Sequence, residues 1–281
     1  MIEKQLWLEE IIKKALEEDL GAGDCTTNAI IDPATSGKAV LEAREEAVLA
    51  GLPVFTKVFQ MLDSEMEFEY HYRDGQVVPS GGTICRVSGS FRAILTAERT
   101  ALNFLQRMSG IATITREYAA RAGKGKAKIL DTRKTVPGLR PLDKYAVRMG
   151  GGYNHRMGLF DCILIKDNHI AVAGSIKQAI NLTKKNAPHT LKVEVEVEDL
   201  KGVEKAIQAG ADMILLDNMR PEEIKEAVSL ARGRVILEAS GGITLKNISE
   251  IAATGVDYIS VGALTHSVRA VDLSLEVIKE D

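Results

Sequence analysis

Short apolar runs recur along the chain from Lys128 onward, and each is followed by a stretch with helical periodicity. The runs are AKILDT, DCILIKD, LKVEVEVE, ADMILLDN, RVILEASGG and DYISVGAL. The centres of the last four lie about 21 to 23 residues apart, which is enough for a strand, a helix and two short loops. Repeated strand–helix units predict a parallel sheet with right-handed crossovers, either open or closed into a barrel.

One of these runs favours a barrel. From Lys192 to Glu198 valine alternates with charged residues, so one face of the strand is apolar and the other is charged. A strand covered by helices on both faces is apolar throughout, whereas a charged face needs a polar interior or a mouth. Lys166 and Asp217 end their own strands, at the edge where active sites of βα barrels lie. We therefore predict a barrel with charged residues at its mouth.

The first part of the chain, residues 1–108, has a mixed α+β pattern. MEFEYHYRDGQVV alternates like a strand that reaches a turn, and GGTICRVSGS is typical of another short strand. ILTAERTALNFLQRMSGIATITREYAARA has helical periodicity, with Gly110 as a candidate break. The pattern predicts an N-terminal domain that precedes the βα domain.

Composition and charge exclude several classes of protein. The 281 residues carry a formal net charge of −3 and only 5% are aromatic, which argues against a nucleic-acid binder. The first stretch, MIEKQLWLEEIIKKALEEDL, predicts an amphipathic helix and neither a signal peptide nor a membrane span. The three cysteines are far apart and form no C-x-x-C pair, so we expect a reduced cytoplasmic protein.

Cations crowd together after the first strand of the βα domain. Arg133 and Lys134 follow AKILDT, and His155 and Arg156 follow the glycines of Gly150–Gly152. We call these four residues the basic cluster. Like charges repel unless an anion offsets them, and arginine matches carboxylates and phosphates with paired hydrogen bonds. A solvated loop rich in lysine and arginine is the alternative, but the position at a strand end beside glycines favours an anion site.

Two acids, Glu196 and Asp217, end neighbouring strands close to Lys166. Carboxylates at a barrel mouth can hold a divalent metal or sugar hydroxyls, or stabilise positive charge on a sugar ring. The alternative is an ion-pair network that braces the barrel.

Glycines follow the last two strands, in EASGG at Glu238–Gly242 and in SVGALTHS at Ser260–Ser267. Glycine lets backbone N–H groups approach a phosphate closely, and the last loops of βα barrels are frequent phosphate sites. Each pair alone could be an ordinary turn. Combined with the cations and acids, they predict a phosphorylated sugar, a divalent metal and a second ligand with carboxylates, reacting at the anomeric carbon.

These motifs resemble quinolinate phosphoribosyltransferases over nearly the whole chain. The matching stretches are EDLGAGDCTT, AERTALNFLQRMSGIAT, DTRKTVPGLRPLDKYAV, GGGYNHR, LIKDNH, VEVE, LLDN, EASGGI and SVGALTHS. The resemblance implies an α/β protein with an N-terminal α/β sandwich domain over 1–108 and an incomplete, TIM-like βα barrel of six or seven strands over 109–267. It also implies a C-terminal tail, 268–281, packed on the N-terminal domain. Finally, it implies a homodimer with shared active sites. In some members of the family, such dimers assemble further into hexamers.

The reaction implied by the resemblance is a pentosyl transfer. Phosphoribosyl pyrophosphate (PRPP) and quinolinate, with Mg²⁺, would give nicotinate mononucleotide, pyrophosphate and carbon dioxide in NAD biosynthesis. No nucleic acid or membrane partner is implied.

The resemblance also assigns roles to residues. Arg133, His155 and Arg156 would grip the two carboxylates of quinolinate. Lys134 and Lys166 would serve quinolinate or pyrophosphate oxygens, with Thr135 in the substrate-binding set. Glu196 and Asp217 would hold ribose hydroxyls and Mg²⁺, and the catalytic set would be Lys134, Lys166, Glu196 and Asp217.

Two further groups of residues complete the implied site. The 5′-phosphate would lie on Ser240, Gly241, Gly242, Gly262 and Ala263. Arg99, which pattern alone places on a helix as a solvated or salt-bridged residue, would reach into the neighbouring subunit's site.

Other interpretations stay open at this point. A nicotinate phosphoribosyltransferase would use the monoacid without decarboxylation, although two or more carboxylate-gripping cations favour the diacid. A family paralogue associated with molybdenum transport is a second alternative. A non-catalytic anion or nucleic-acid binder would use the basic cluster but would give Glu196 and Asp217 no role.

Overall fold

The computed structural model describes residues 5–278, and its residues fall into two compact units. One comprises residues up to 114, 136–151 and 268 onward, and the other comprises 115–135 and 152–267. Residues 1–4 and 279–281, which belong to the predicted N-terminal domain and tail, lie outside the described residues. Within 5–278, no helix combines the length and apolarity that crossing a lipid bilayer requires.

The first unit is built around an antiparallel sheet. Its strands and helices are α1 (Leu6–Leu20), α2 (Cys25–Ile30), β1 (Ser36–Ala43), β2 (Ala47–Val48), α3 (Leu52–Gln60), β3 (Glu67–Tyr70), β4 (Val77–Val78), β5 (Thr83–Ser90), the first part of α4 (Phe91–Ala122), α5 (Arg140–Met149) and β12 (Leu273–Ile278). The main sheet has the order β12-β1-β5-β3, and β2 pairs with β4. Phe55 and Phe59, both fully buried on α3, pack their rings 4.9 Å apart.

The C-terminal strand closes one edge of this sheet. β12 runs antiparallel to β1, with Ala39 opposite Val277 and Ala43 opposite Leu273. The amide of Gln106 on α4 donates to the carbonyl of Leu273 at 2.8 Å. The end of the chain is therefore a structural part of the first unit.

Two ranges differ from the domains expected from the sequence. The boundary expected after residue 108 falls inside α4, which runs unbroken through Gly110, so the candidate break there was wrong. Residues 136–151, expected in the barrel domain, belong to the first unit. Polar contacts attach this range to the first unit. Arg107 pairs with the buried Asp143 at 2.8 Å, and the Tyr145 hydroxyl donates to Asp74 at 2.7 Å.

The second unit is the predicted parallel sheet with helices. Its elements are β6 (Lys128–Leu130), β7 (Ile163–Ile165), α6 (Asp167–Ala173), α7 (Ile176–Asn186), β8 (Val193–Val197), α8 (Leu200–Ala209), β9 (Met213–Asp217), α9 (Pro221–Ala231), β10 (Ile236–Ser240), α10 (Ile248–Ala252), β11 (Tyr258–Ser260) and α11 (Ala263–His266), together with the end of α4. The strand order is β6-β11-β10-β9-β8-β7, and each strand is parallel to its neighbours. This confirms the α/β class.

The barrel is incomplete on one side. β6 and β7 form the two ends of the six-stranded sheet, and only a single bridge, between Leu130 and Tyr153, extends it beyond β6. From Asn154 to Cys162 the described chain has no strand pairing. This irregular segment replaces a strand, and its backbone must be held by other means.

Candidate active site

A cavity of about 530 Å³ opens at the carboxyl ends of the parallel strands in the second unit. Predicted site residues line most of it: Arg133, Lys134, His155, Arg156, Lys166, Glu196, Asp217, Ser240, Gly241 and Gly242. Thr135, Gly262 and Ala263 are not among the lining residues, although they lie in the same unit. Arg99 lies in the first unit on α4, with 60% of its side chain exposed and Glu98 as its nearest acid at 4.0 Å.

The loop after β6 supplies two cations of the basic cluster. The backbone N–H of Lys134 donates to the Thr132 hydroxyl at 3.0 Å, and its carbonyl accepts from the Thr265 hydroxyl at 2.8 Å. These bonds fix the backbone of the loop against α11. The long side chains of Arg133 and Lys134 are exposed at the cavity, which suits capture of an anion from solvent.

The irregular segment supplies the other two residues of the basic cluster, His155 and Arg156. The N–H of His155 donates to Asp131 Oδ1 at 2.9 Å, and Asn154 Nδ2 donates to Asp131 Oδ2 at 2.5 Å. Arg156 Nη1 donates to the Cys162 carbonyl at 3.3 Å, across the base of the loop. Asp131, fully buried at the end of β6, therefore anchors the part of the chain that has no strand partner.

The ring of His155 is held on both sides. Nδ1 accepts from the N–H of Arg156 at 2.7 Å, so this nitrogen carries no proton. The proton belongs on Nε2, which lies 3.2 Å from Glu194 Oε2 and 3.6 Å from Glu238 Oε1. A hydrogen bond from this ring to a ligand would require one of these partners to be given up. A ring with one proton is neutral, so its contribution to the cavity is shape and not charge.

The two predicted acids, Glu196 and Asp217, form what we call the mouth acid pair. In the register of β8 and β9, Glu196 lies opposite Leu215, which places Asp217 two residues further along the same face. Lys166 Nζ makes an ion pair with Glu196 Oε2, and Asn218 Nδ2 donates to Asp217 Oδ2 at 2.7 Å. The bracing ion pair considered from sequence is thus present, but it lines the cavity and remains within reach of a ligand.

The carboxylates at the mouth suit a hard cation. Oxygen is the ligand that Mg²⁺ prefers, and both Glu196 and Asp217 are partly exposed to the cavity. Two carboxylates leave most of an octahedral shell to be filled by ligand oxygens and water. The residues present therefore fit a Mg²⁺ ion that arrives with a phosphorylated substrate.

The glycine loop after β10 is shaped for close approach. Gly241 and Gly242 have φ values of +86° and +60°, in the left-handed region. A Cβ on Gly241 would lie 2.3 Å from Asn218 Oδ1 and 2.8 Å from the Asn218 nitrogen. Asn218 itself has φ +55° and donates its N–H to the Ser240 carbonyl at 2.9 Å. Glycine at 241 is thus required by contact with the neighbouring strand end as well as by its backbone angle.

A second pair of acids, Glu194 and Glu238, lies one layer deeper, and we call it the interior acid pair. The sequence pattern puts Glu194 on the charged face of its strand, where its expected role is structural, and the pattern gives Glu238 no role of its own. Both side chains are 0% exposed, and their four carboxylate oxygens have no well-aligned hydrogen-bond donor among the described residues. Burial, with help from Glu194, raises the pKa of Glu238 to about 7, and His155 and the Ser260 hydroxyl offset only part of this. The signal was available, because alternation puts 194 and 238 on the same faces as 196 and 240.

Comparisons with known proteins identify the family of the chain. Residues 24–109 match the model for the quinolinate phosphoribosyl transferase N-terminal domain, and residues 111–276 match the model for its C-terminal domain. A Bacillus subtilis protein named probable nicotinate-nucleotide pyrophosphorylase (carboxylating) is 44% identical over 272 residues, covering 97% of this chain and 94% of the relative.

Solved structures give the same result. NadC from Streptococcus pyogenes has 46% identity and a TM-score of 0.93, covering 97% of each chain. The nicotinate-nucleotide pyrophosphorylase from Francisella tularensis also has 46% identity and a TM-score of 0.93, covering 97% of this chain and 96% of that one. With both domain models matched in order and relatives aligned end to end, the chain belongs to the quinolinate phosphoribosyltransferase family.

Proposed function

We propose that the cavity at the barrel mouth transfers a phosphoribosyl group from PRPP to quinolinate with loss of carbon dioxide, giving nicotinate mononucleotide and pyrophosphate for NAD biosynthesis. The observation that carries this proposal is the convergence in one cavity of the basic cluster, the mouth acid pair and the glycine loop. A dianionic acid, a ribose with its diphosphate and a 5′-phosphate need these three kinds of group together.

The basic cluster selects the diacid. Arg133 and Arg156 can each meet a carboxylate with two hydrogen bonds, and Lys134 adds a third positive charge beside them. Binding quinolinate offsets the mutual repulsion of these cations, which is a cost in the free protein. A monoacid offsets less of that repulsion, so nicotinate is the poorer substrate.

The other side of the cavity binds PRPP. Ser240, Gly241 and Gly242 present backbone N–H groups for the 5′-phosphate, and Glu196 and Asp217 accept from the ribose hydroxyls. The same two carboxylates would hold Mg²⁺, which when bound neutralises charge on the diphosphate leaving group. As the bond from the anomeric carbon to pyrophosphate lengthens, positive charge grows on the sugar ring, and the mouth acid pair stabilises it. Lys166, held by Glu196, is placed to bind a departing or carboxylate oxygen.

A product assay tests the function. Purified protein, PRPP and Mg²⁺ are incubated with quinolinate or with nicotinate, and nicotinate mononucleotide and carbon dioxide are measured. We expect product and stoichiometric carbon dioxide from quinolinate. Product from nicotinate alone would make the protein a nicotinate phosphoribosyltransferase and would reassign the basic cluster to phosphates. No product from either acid would refute the proposal and favour the transport-associated paralogue or a binding module.

We also propose that two chains form a homodimer whose cavities are shared. Arg99 is exposed on α4 and does not line the cavity of its own chain, which supports a role in a partner's cavity. Arg99→Ala and Lys166→Ala would each be inactive. Mixing them equally should restore about a quarter of wild-type activity, because half the dimers are mixed and each has one intact site. No recovery, with subunit exchange verified by mass spectrometry, would contradict the shared site. Assembly into hexamers and a cytoplasmic location stay predictions.

A further inference from the structure

The irregular segment, Asn154–Cys162, raises a question about how the cavity is kept in shape. It supplies His155 and Arg156 of the basic cluster, yet it has no strand hydrogen bonds to either neighbour. In a regular barrel each inward residue is fixed by its backbone pairing on both sides. Here Asp131 provides one anchor, through the backbone of His155 and the amide of Asn154. That bond secures the chain only on the β6 side.

The interior acid pair lies on the opposite side. Glu194 belongs to β8 and Glu238 to β10, so both carboxylates are carried by paired strands of the sheet. Glu194 Oε2 and Glu238 Oε1 lie 3.2 and 3.6 Å from His155 Nε2, the ring nitrogen that carries the proton. His155 is therefore tied by its backbone to β6 and by its ring to β8 and β10.

The cost of burying the two carboxylates favours keeping the His155 ring beside them. Two carboxylates buried side by side without donors are costly, and a proton-bearing imidazole nitrogen between them offsets part of that cost. The ring also accepts the N–H of Arg156 through Nδ1, so any rotation of the ring disturbs the next cation as well. The acids on the two paired strands therefore limit the position of the His155 ring, and the ring limits the position of the Arg156 backbone.

We propose that Glu194 and Glu238 are positioning residues, which replace the missing strand contacts and hold His155 and Arg156 in the geometry that binds the dianionic substrate. This inference rests on the proposed function for the identity of that substrate. Neither acid needs to touch it. Glu238 lines the mouth cavity, and it also lines a second cavity of about 240 Å³ together with Glu194, His155 and Arg156. The pair thus lies beside both cavities, next to His155.

A metal ion is the competing occupant. His155, Glu194 and Glu238 offer ligand atoms within 4.8 Å of one another. A transition-metal ion would need Nε2 without its proton, and it would lie close to the cationic Arg156, which lines both adjoining cavities. The positioning role places a proton-bearing nitrogen beside the same carboxylates without adding a cation, so we favour it.

The first test uses substrate affinity. Glu194→Gln keeps the size of the side chain and removes its charge, and Glu238→Gln does the same at the longer contact. We expect the KM for quinolinate to rise roughly ten- to hundredfold in Glu194→Gln, with a smaller rise in Glu238→Gln and a KM for PRPP within about twofold of wild type. Glu198→Gln, an exposed acid just after the same strand, is the matched control and should change neither constant. Equal losses for both substrates, or no loss, would overturn the proposal.

The second test does not depend on activity. The chain has five histidines, so ¹⁵N-histidine NMR can resolve them, with His155 assigned through a His155→Asn variant. We expect His155 to keep a slowly exchanging proton on Nε2, and this signal to shift in both Glu→Gln variants. A bare Nε2, or one equivalent of tightly bound transition metal found by elemental analysis, would refute the positioning role. If wild-type protein lacked activity but the proton were present, the proposed function alone would fail.

Discussion

Glu194 and Glu196 lie two residues apart on the same face of β8, yet their carboxylates have different surroundings. Glu196 is 14% exposed, pairs with Lys166 and lines the mouth cavity, whereas Glu194 is 0% exposed and lies 3.2 Å from His155 Nε2. β10 repeats the arrangement, with Ser240 at the mouth and Glu238 beneath it. Along a strand, a step of two residues moves a side chain by about 6.6 Å without changing its face. In this barrel the step separates an acid that lines the cavity from an acid that is buried beneath it.

The mouth acid pair should govern rate, and its loss should be the largest effect. Asp217→Asn keeps the hydrogen bonding of the side chain but removes the charge that steadies the sugar ring. We expect kcat to fall about 10³-fold, in the range of lost electrostatic stabilisers, with an unchanged melting temperature. Steady-state kinetics and thermal denaturation measure the two. A variant with near-wild-type kcat would remove Asp217 from the catalytic set.

The basic cluster should govern the affinity for the diacid. Arg133→Ala removes a paired hydrogen bond to a carboxylate, so the KM for quinolinate should rise roughly ten- to hundredfold while the fold survives. Initial rates at varied quinolinate, with PRPP saturating, give this value. Arg232→Ala, an exposed arginine after α9, serves as the control. Wild-type kinetics in Arg133→Ala would contradict the assignment of the basic cluster.

The interior acid pair should instead govern how stability depends on pH. Because burial raises the pKa of Glu238 to about 7, from an ordinary value of 4.5, the folded protein holds this proton more tightly than the unfolded chain does. Stability is therefore fully present below pH 4.5 with respect to this group and declines as the pH rises toward 7. We expect Glu238→Gln to remove on the order of 2 kcal/mol of that decline between pH 5 and 8.

Urea denaturation of both proteins across this pH range tests the prediction. The comparison is between the two pH profiles and not between absolute stabilities, since other groups titrate in both proteins. Parallel profiles for the wild type and Glu238→Gln would show that the carboxyl group is ionised at both ends of the range.

The glycine loop gives the smallest effect and separates strain from contact. Gly241→Ala adds a Cβ 2.3 Å from Asn218 Oδ1 at φ +86°, whereas Gly242→Ala adds one at φ +60° with that same oxygen 4.0 Å away. We expect Gly242→Ala to cost about 1 kcal/mol from its backbone angle alone, and Gly241→Ala to cost more and to weaken PRPP binding. Chemical denaturation and PRPP titration measure these. Equal costs at both positions would mean that Asn218 moves aside freely.

Much of this arrangement could be predicted from the sequence, for identifiable reasons. The runs after Lys128 fixed the parallel strands because each buried strand is apolar and evenly spaced from the next. Residues at strand ends, such as Lys166 and Asp217, were correctly placed at the mouth because the carboxyl ends of parallel strands share one edge. Strands and their ends can therefore be located from the sequence alone, because they depend on residues that are neighbours in the chain.

Other features depend on contacts that no local pattern contains. α4 passes unbroken through Gly110, where the backbone of Arg269 packs so closely that only glycine fits, so this glycine serves packing and does not end the helix. Residues 136–151 join the first unit through long-range pairs such as Arg107 with Asp143. The interior acid pair is assembled from β8 and β10 around a histidine from neither strand. The roles of Arg99, Thr135, Gly262 and Ala263 stay predictions.

The irregular segment also has a consequence for changing what the enzyme accepts. Its nine residues, Asn154–Cys162, are attached to the sheet by hydrogen bonds to Asp131 and by the close contacts of His155 with Glu194 and Glu238, and not by continuous strand pairing. Insertions or substitutions between Met157 and Asp161 would leave every strand pair intact. A library that varies this loop while keeping the three anchoring acids should therefore yield folded proteins, so the opening in the barrel tolerates redesign where the paired strands do not.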